Sequence, residues 1–430
     1  MNRWPDPLLA DTRARVRRSL ARRRSAERRF RLCGLLSVVV GLLVVALLFG
    51  DLLGKGYGAF SAHQIRLEIS FAPSLLGVSD AGNPQRLADA DYGALVDQAL
   101  QARFPAVVSS AERRHLRALI SVGAVHRLQQ ELADHADWLG QKQTLWLLAS
   151  GAADRFLQSD DGQRRLSPLT ANQRHWLAQL EKGGDVRQRL NLALFTHGDS
   201  RQAELAGIRG ALTGSLWALL VTLCLSLPIG VAAALYLQEF APRNRWTRFI
   251  ELNISHLVSL PPIVFGLLGL ALFIGLFGLP GSVPLLAGLV LTLMTLPTII
   301  ITSRAAIRAV PLSVRQGALA LGASPMQVVL HQVLPLALPG VLTGAVFSFA
   351  RALGEAAPLL LIGMLVFVVG VPDGLLDPAT VLPVQIYLWA SNPDPSFVAL
   401  AAAATLVLLA LLLVLNMVAV MLRRRLEKRW

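Results

Sequence analysis

The sequence predicts an all-α polytopic membrane protein with six transmembrane helices, interrupted after the first by an inserted α+β extracytoplasmic domain. Three observations carry this expectation. Of 430 residues, 54% are hydrophobic and only 16% charged, with a mean hydropathy of +0.52; a soluble protein of this size carries roughly a quarter charged residues. Apolar runs of roughly 20 residues, the length that crosses a bilayer, recur along the chain. Between the first and second of these runs lies a polar stretch, Lys55 to Glu204, with seventeen basic and sixteen acidic residues.

The net charge of +14 invites a nucleic-acid reading, but its placement argues against one. Met1 to Arg31 holds eleven arginines against three acids, and Arg423 to Arg429 holds five basic residues against one acid. Excess positive charge beside the ends of apolar runs is the positive-inside pattern of membrane proteins. Nucleic acid is therefore excluded as a partner, and membrane lipid is expected instead. Cys33 and Cys224 both lie in apolar stretches, so buried structural thiols are expected rather than a disulfide or metal framework.

Taken in order, residues 1–31 form a basic tail, a helix or disordered arm lying on anionic lipid. Residues 32–53 form the first span, too long for a cleavable signal and read as a signal anchor. The Gly54 to Gly58 stretch, GKGYG, resembles half of a phosphate loop but lacks its spacing and its following Ser/Thr. It reads as a membrane-exit linker, and no nucleotide site is expected in this chain.

Residues 54–206 have the composition of a soluble domain, long enough to bury its own core. Gln64 to Phe71, QIRLEISF, alternates as a half-buried strand does. Beyond Asp91 the apolar residues fall at helical spacing, as at Leu116, Leu119, Ile120, Gly123, Leu128 and Leu132, with Trp138, Trp146 and Trp176 as core aromatics. His115, His126, His135 and His175 have no ligand spacing and read as structural or solvated. Nothing in this stretch says what the domain does.

Residues 207–430 carry five more spans, roughly Ile208 to Leu237, Leu252 to Phe277, Val283 to Ser303, Gly340 to Val369 and Phe397 to Leu422. Arg243, Arg245 and Arg248 mark one connecting loop as cytoplasmic, and Arg304, Arg308 and Arg315 mark another, at about 304–339. Both termini then lie inside, with the 54–206 domain and the Gly370 to Ser396 loop outside. Prolines at 228, 261, 262, 297 and 358 interrupt the spans, and each frees a carbonyl that must be satisfied by protein or a wet cavity. Broken helices of this kind are common in transporters.

Two features carry chemistry. Arg351 and Glu355 are the charges that fall inside the later spans, at i,i+4 spacing and near the middle of the Gly340 to Val369 run. An unpaired charge in mid-membrane costs about 2.5–3.5 kcal/mol on insertion scales, so both must face protein or water. A salt bridge pinning helices is one reading. The other is an anion site, since a guanidinium binds an oxyanion through two parallel hydrogen bonds. The second feature is Gln316 to Pro335, too polar for a span and without an acid. It reads as helix, turn and helix against the membrane, with Gly322 closing the first helix in the left-handed conformation and Pro325 opening the second.

The spacing of this segment matches the coupling-loop motif of ABC importer permeases: Glu-Ala-Ala, three residues, Gly, nine residues, Ile, one residue, Leu-Pro. Gln316, Gly317 and Ala318 occupy the first triplet and Gly322 the glycine, followed by Ala323. Gln332 stands at the isoleucine, and Leu334 and Pro335 end the motif. The departures at Gln316, Gly317 and Gln332 remove the acidic group that the motif carries first. With TLPTIIITSRAAIRAVP before it and ARALGEAAPLLLIGM after it, the segment resembles phosphate ABC importer permeases of the PstA type. So does ALFTHGDSRQAELAGIRGALTGSLWALLVTLCLSLPIGVAAALYLQEFAPRNRW, and the similarity extends over about Asn191 to Trp430.

The resemblance implies a type I ABC importer permease fold and a multi-pass subunit of the inner membrane that is not itself catalytic. It implies a sister permease as heterodimer partner, two ATP-binding subunits that hold the nucleotide, and an extracytoplasmic phosphate-binding protein. No cofactor is implied for this chain. Arg351 and Glu355 would line the substrate path, and Gln316, Gly317, Ala318, Gly322, Ala323 and Pro335 would couple to the ATPase. The residues alone reach an ABC-type permease for an anion, leaving open another oxyanion. The alternative from a different class is a membrane sensor or assembly protein that uses the 54–206 domain for recognition. Six proline-broken spans with an intramembrane arginine exceed what an anchor requires.

Overall fold

The computed structural model describes residues 7–77, 90–159, 164 and 167–426, and it is mostly helical. The first six residues of the basic tail, and Lys428 and Arg429 of the C-terminal basic run, lie outside the described residues. The chain divides into two compact units, Met1–Gly54 and Lys55–Trp430. The first holds α1, Pro7–Gly56, as far as Gly54, a single helix through the described part of the basic tail and the first span. Proline opens it, and no further proline or turn cluster follows to stop it. Helix replaces the expected linker at Gly54 and continues to Gly56, where a short 3₁₀ turn, Tyr57–Phe60, leads straight into a strand.

In the second unit that strand, β1 (Ser61–Ser70), is the centre of an antiparallel sheet in the order β2-β1-β3, with β2 at Lys142–Leu148 and β3 at Val186–Leu190. Helices α2 (Tyr92–Arg103), α3 (Ser110–Arg117), α4 (Gly123–Asp134), α5 (Gly151–Gln158) and α6 (Ala171–Lys182) supply the apolar residues that cover one face. Ile65, Leu67 and Ile69 point into this core, as their alternation requires, beside Leu147, Leu128, Leu132 and Trp176. Trp138 packs half-buried against it. Trp146 corrects the expectation of a core aromatic. It pairs with Arg66 across the sheet, so the period of two puts it on the opposite face. There the Arg187 guanidinium lies 4.1 Å and that of Arg66 5.8 Å from its ring centre. The helix α5 is tied to the rest of the unit: the Gly151 N–H donates to Glu204 and Arg155 pairs with Asp394, both at 3.2 Å.

Residues 209–426 contain the remaining long helices: α7 (Arg209–Leu235), α8 (Arg245–Val258), α9 (Pro262–Gly269), α10 (Pro284–Arg308), α11 (Leu312–Ala320), α12 (Pro325–Val328), α13 (Leu334–Leu353), α14 (Ala357–Leu361), α15 (Leu382–Ala390) and α16 (Pro395–Leu426). Among the described residues five helical runs are long and apolar enough to cross a membrane, or six if the bent pair of α8 with α9 and its extension to Leu276 is one span. α7 and α10 pack through small and hydroxylated residues, and Thr222 Oγ1 donates across the interface to the Gly288 carbonyl at 3.2 Å. Close backbone approach with hydroxyl bonds is the usual means of helix association in lipid.

Two of the expected spans differ in shape. The run Leu252 to Phe277 is broken by a 106° bend between Val258 and Pro262, where two consecutive prolines remove the donors a continuous helix needs. The run Gly340 to Val369 is not one helix. Its helix begins at Pro325, through a π turn at Val329–Val333, and ends at Leu353. The Gly370 to Ser396 loop contains α15, whose Trp389 is buried and donates its indole N–H to Asp199 at 3.0 Å. Cys33 and Cys224 are exposed rather than buried, since a span shields a thiol from water with lipid as well as with protein.

Candidate translocation and coupling sites

The helical run from Pro325 to Leu353 has a candidate site at each end. At the far end, Arg351 lies in the last turn of α13, not at the middle of a continuous helix, and the helix stops at Gly354 before Glu355 is reached. The chain passes through Glu355 and Ala356 into α14, where Pro358 cannot continue the previous helix. This break packs tightly: a Cβ added to Gly266 would come within 2.7 Å of the Pro358 backbone, so only glycine lets α9 approach so closely. Ala352 and Leu359 on either side are buried in one apolar cluster with Phe265 and Val290.

The backbone of the break is thus held, while its charges are left open. Arg351 Nε stands 3.6 Å from Glu355 Oε1, an ion pair too long for a hydrogen bond, with the side chains 42% and 23% exposed. Among the described residues the Arg351 guanidinium makes no hydrogen bond. A helix C-terminus is a favourable place for a cation. What results is a tethered guanidinium with its donors available.

At the near end, α11 closes through a Schellman turn: the Ala323 N–H donates to the Ala318 carbonyl at 3.2 Å and the Gly322 N–H to the Leu319 carbonyl at 2.9 Å. Gly322 has φ +84°, the left-handed conformation that a glycine adopts without strain. Ser324 then opens α12 with a capping box, its hydroxyl accepting from the Gln327 N–H while Gln327 Oε1 accepts from the Ser324 N–H at 2.8 Å. Gln316, Gly317, Gly322 and Pro335 are exposed, and Ala318 and Ala323 are half-buried. Leu321, 90% exposed, and Met326, 55% exposed, project from the turn. Neither stood out in the sequence, although bulky apolar residues flanking a turn glycine are a legible sign of a surface that another chain covers.

Sequence reasoning also missed what holds this turn. Arg315 and Arg304 marked sidedness only. In the structure Arg315 donates to the carbonyls of Val310 at 2.7 Å and Ile307 at 2.8 Å and to Glu239 at 2.9 Å, joining α11 to the end of α10 and to the π turn Tyr236–Phe240 that extends α7. Arg304 pairs with Glu251 of α8 at 2.6 Å. Glu239 and Glu251 are the only acids between Ala206 and Glu355, and that scarcity was the available signal.

Five or six membrane-length helices, a broken helix that presents an arginine and an exposed helical turn about 40 Å away along one helix, at 1.5 Å per residue, define a polytopic transport subunit. The chain belongs to the family of binding-protein-dependent transport system inner membrane components, whose signature matches residues 226–429. A domain of unknown function (DUF3333) matches residues 17–165. The "Probable ABC transporter permease protein YqgI" of Bacillus subtilis (strain 168) is 34% identical over 54% of this chain and 82% of that protein. The "Phosphate transport system permease protein PstA" of Haemophilus influenzae (strain ATCC 51907 / DSM 11121 / KW20 / Rd) is 31% identical over 52% and 79%. A chain of the MetNI methionine ABC transporter, solved in inward-facing conformations, is 19% identical, with 51% of this chain covering 96% of that one at a TM-score of 0.41. The chain is an ABC transporter permease, a membrane component of a transport system.

Proposed function

We propose that the chain is the permease subunit of an ATP-driven importer of inorganic phosphate in the inner membrane. It forms half of the translocation path with a sister permease. Two ATP-binding subunits bind and hydrolyse the nucleotide, an extracytoplasmic binding protein delivers the anion, and this chain is not itself catalytic. Both termini face the cytoplasm, and residues 54–206 form a domain on the outer side.

The observation that carries the anion path is the Arg351 guanidinium, half-exposed at a helix break with its donors available. Relatives named as phosphate permeases support phosphate as the anion. Glu355 keeps the attraction weak enough for release. The exposed turn, with Gln316, Gly317, Ala318, Gly322, Ala323 and Pro335 around Leu321, is the surface that seats in the ATPase. When the ATPase dimer closes, force on this turn passes through Arg315 and Glu239 to α10 and α7, and the spans rock between outward-open and inward-open.

Uptake of labelled phosphate and of labelled sulfate into vesicles containing the full complex, with and without binding protein, tests this reading. Binding-protein-stimulated phosphate uptake is expected, reduced at least ten-fold in Arg351→Lys, which keeps the charge but loses the two-pronged geometry. Stimulated uptake of sulfate alone, or full phosphate uptake in the variant, would overturn the phosphate path.

A further inference from the structure

At the end of α10 that carries Arg308, a cavity of about 490 Å³ opens between the α7–α8 connection and α10. Arg243, Arg245, Arg248, Arg304 and Arg308 all line it, against the single carboxylate Glu251. That carboxylate is already taken by Arg304 at 2.6 Å, and Arg308 finds only the amide oxygen of Gln238 at 3.5 Å. The Nε of Arg304 is buried and, among the described residues, has no acceptor. Four guanidinium charges thus converge on one space without a counter-charge among the described residues, an arrangement that an anion relieves.

The surroundings narrow the anion. Planar guanidinium donors match phosphate oxygens in pairs. Asn244 caps the first turn of the fourteen-residue helix α8 on the wall of the same cavity. Trp246, 75% exposed, and Phe249, 59% exposed, meet edge to face at 6.4 Å on this helix. Arginines beside exposed aromatics are the side chains found at the headgroup level of a membrane.

We propose that this cavity is a binding site for a phosphate group, presented either by the headgroup of an anionic phospholipid or by free inorganic phosphate. It is separate from the Arg351 break. Its occupancy would bridge the α7–α8 connection to α10, next to the Ile307 carbonyl that receives Arg315.

The test uses the full-length chain purified in a neutral detergent and two probes. Phosphatidylglycerol is titrated by native mass spectrometry, with phosphatidylcholine as the zwitterionic comparison of no net charge, and labelled inorganic phosphate is measured by equilibrium dialysis. The triple variant Arg243→Gln, Arg248→Gln, Arg308→Gln leaves the Arg304–Glu251 pair in place. Affinity for at least one anionic probe is expected to fall roughly 100-fold, about five-fold for each arginine removed from a headgroup-level surface, with phosphatidylcholine unaffected. The probe that loses affinity identifies the source. Should the triple variant not fold, Arg243→Gln, at an exposed side chain, is expected to weaken the same probe about five-fold. Binding of both probes unchanged in the variants, or no binding of either to the unmodified chain, would overturn the site. Arg351→Lys, which tests the transport path, is expected to leave the lipid titration unchanged, so the two readings fail separately.

Discussion

Two arginine–glutamate pairs are built from the same side chains: Arg351–Glu355 at the far end of the helical run that starts at Pro325, and Arg315–Glu239 on the helix that precedes that run. At Arg315–Glu239 the charged atoms are 2.9 Å apart, both side chains are 15% exposed, and the terminal nitrogens also donate to two backbone carbonyls, while Nε, among the described residues, has no acceptor. At Arg351–Glu355 the separation is 3.6 Å, the exposures are 42% and 23%, and no hydrogen bond is made. The first arginine has its terminal nitrogens committed to holding three elements together. The second is restrained by its backbone, and among the described residues its donors make no hydrogen bond. Residue type therefore does not separate a strut from an open pair, whereas the number of donors bonded within the chain does.

The largest effect expected is all-or-none and concerns the sides of the membrane on which this comparison depends. A reporter active only outside the cytoplasm is expected to be active when fused after Asp199 and silent when fused after Arg315. The reverse would place the strut and its turn outside, away from any ATPase.

Next in size, Arg351→Met with Glu355→Leu removes the open pair without leaving a lone charge, and such exchanges are often neutral for stability or better. The complex should assemble and hydrolyse ATP, with phosphate uptake reduced about 100-fold or more. Substantial uptake would mean that the open pair is only structural.

The strut should respond in the opposite way. Arg315→Gln strips a mostly buried carboxylate of its partner and two carbonyls of their donor, a loss of about 3 kcal/mol. A clear fall in melting temperature of the purified chain is expected, whereas Arg351→Gln should leave it nearly unchanged. Equal melting temperatures for the two variants would erase the distinction drawn from their donors.

The smallest effect is local. Gly322→Val imposes a β-branched residue on a left-handed backbone at a cost of about 1–2 kcal/mol, on an exposed turn that the core does not need. Membrane insertion should be normal while uptake and co-purification of the ATPase decline. Unchanged values for both would remove the coupling role of the turn.

Much of this architecture was legible because lipid is a demanding solvent. A span must be apolar over its length, so composition and arginine placement located the long helices, and glycine with a following proline located the turn at Gly322. The strand at Gln64 was legible from its alternation, but β2 and β3 were not. VRQRL at β3 is too polar and short to read as a strand, and its pairing with β1 defines it. The pairing of β2 with β1 sent Trp146 to the face opposite the core.

By itself the sequence determined the class of protein, the polar insert, the basic ends and the residue types at both candidate sites, because each follows from solvation and local backbone preference. Only the tertiary structure decided that α13 stops between Arg351 and Glu355, that Arg315 is bonded to Glu239 from 76 residues away, and that five arginines from two separate segments line one cavity. Those outcomes depend on which donors and acceptors long-range packing brings within reach, and spacing along the chain carries no record of that distance.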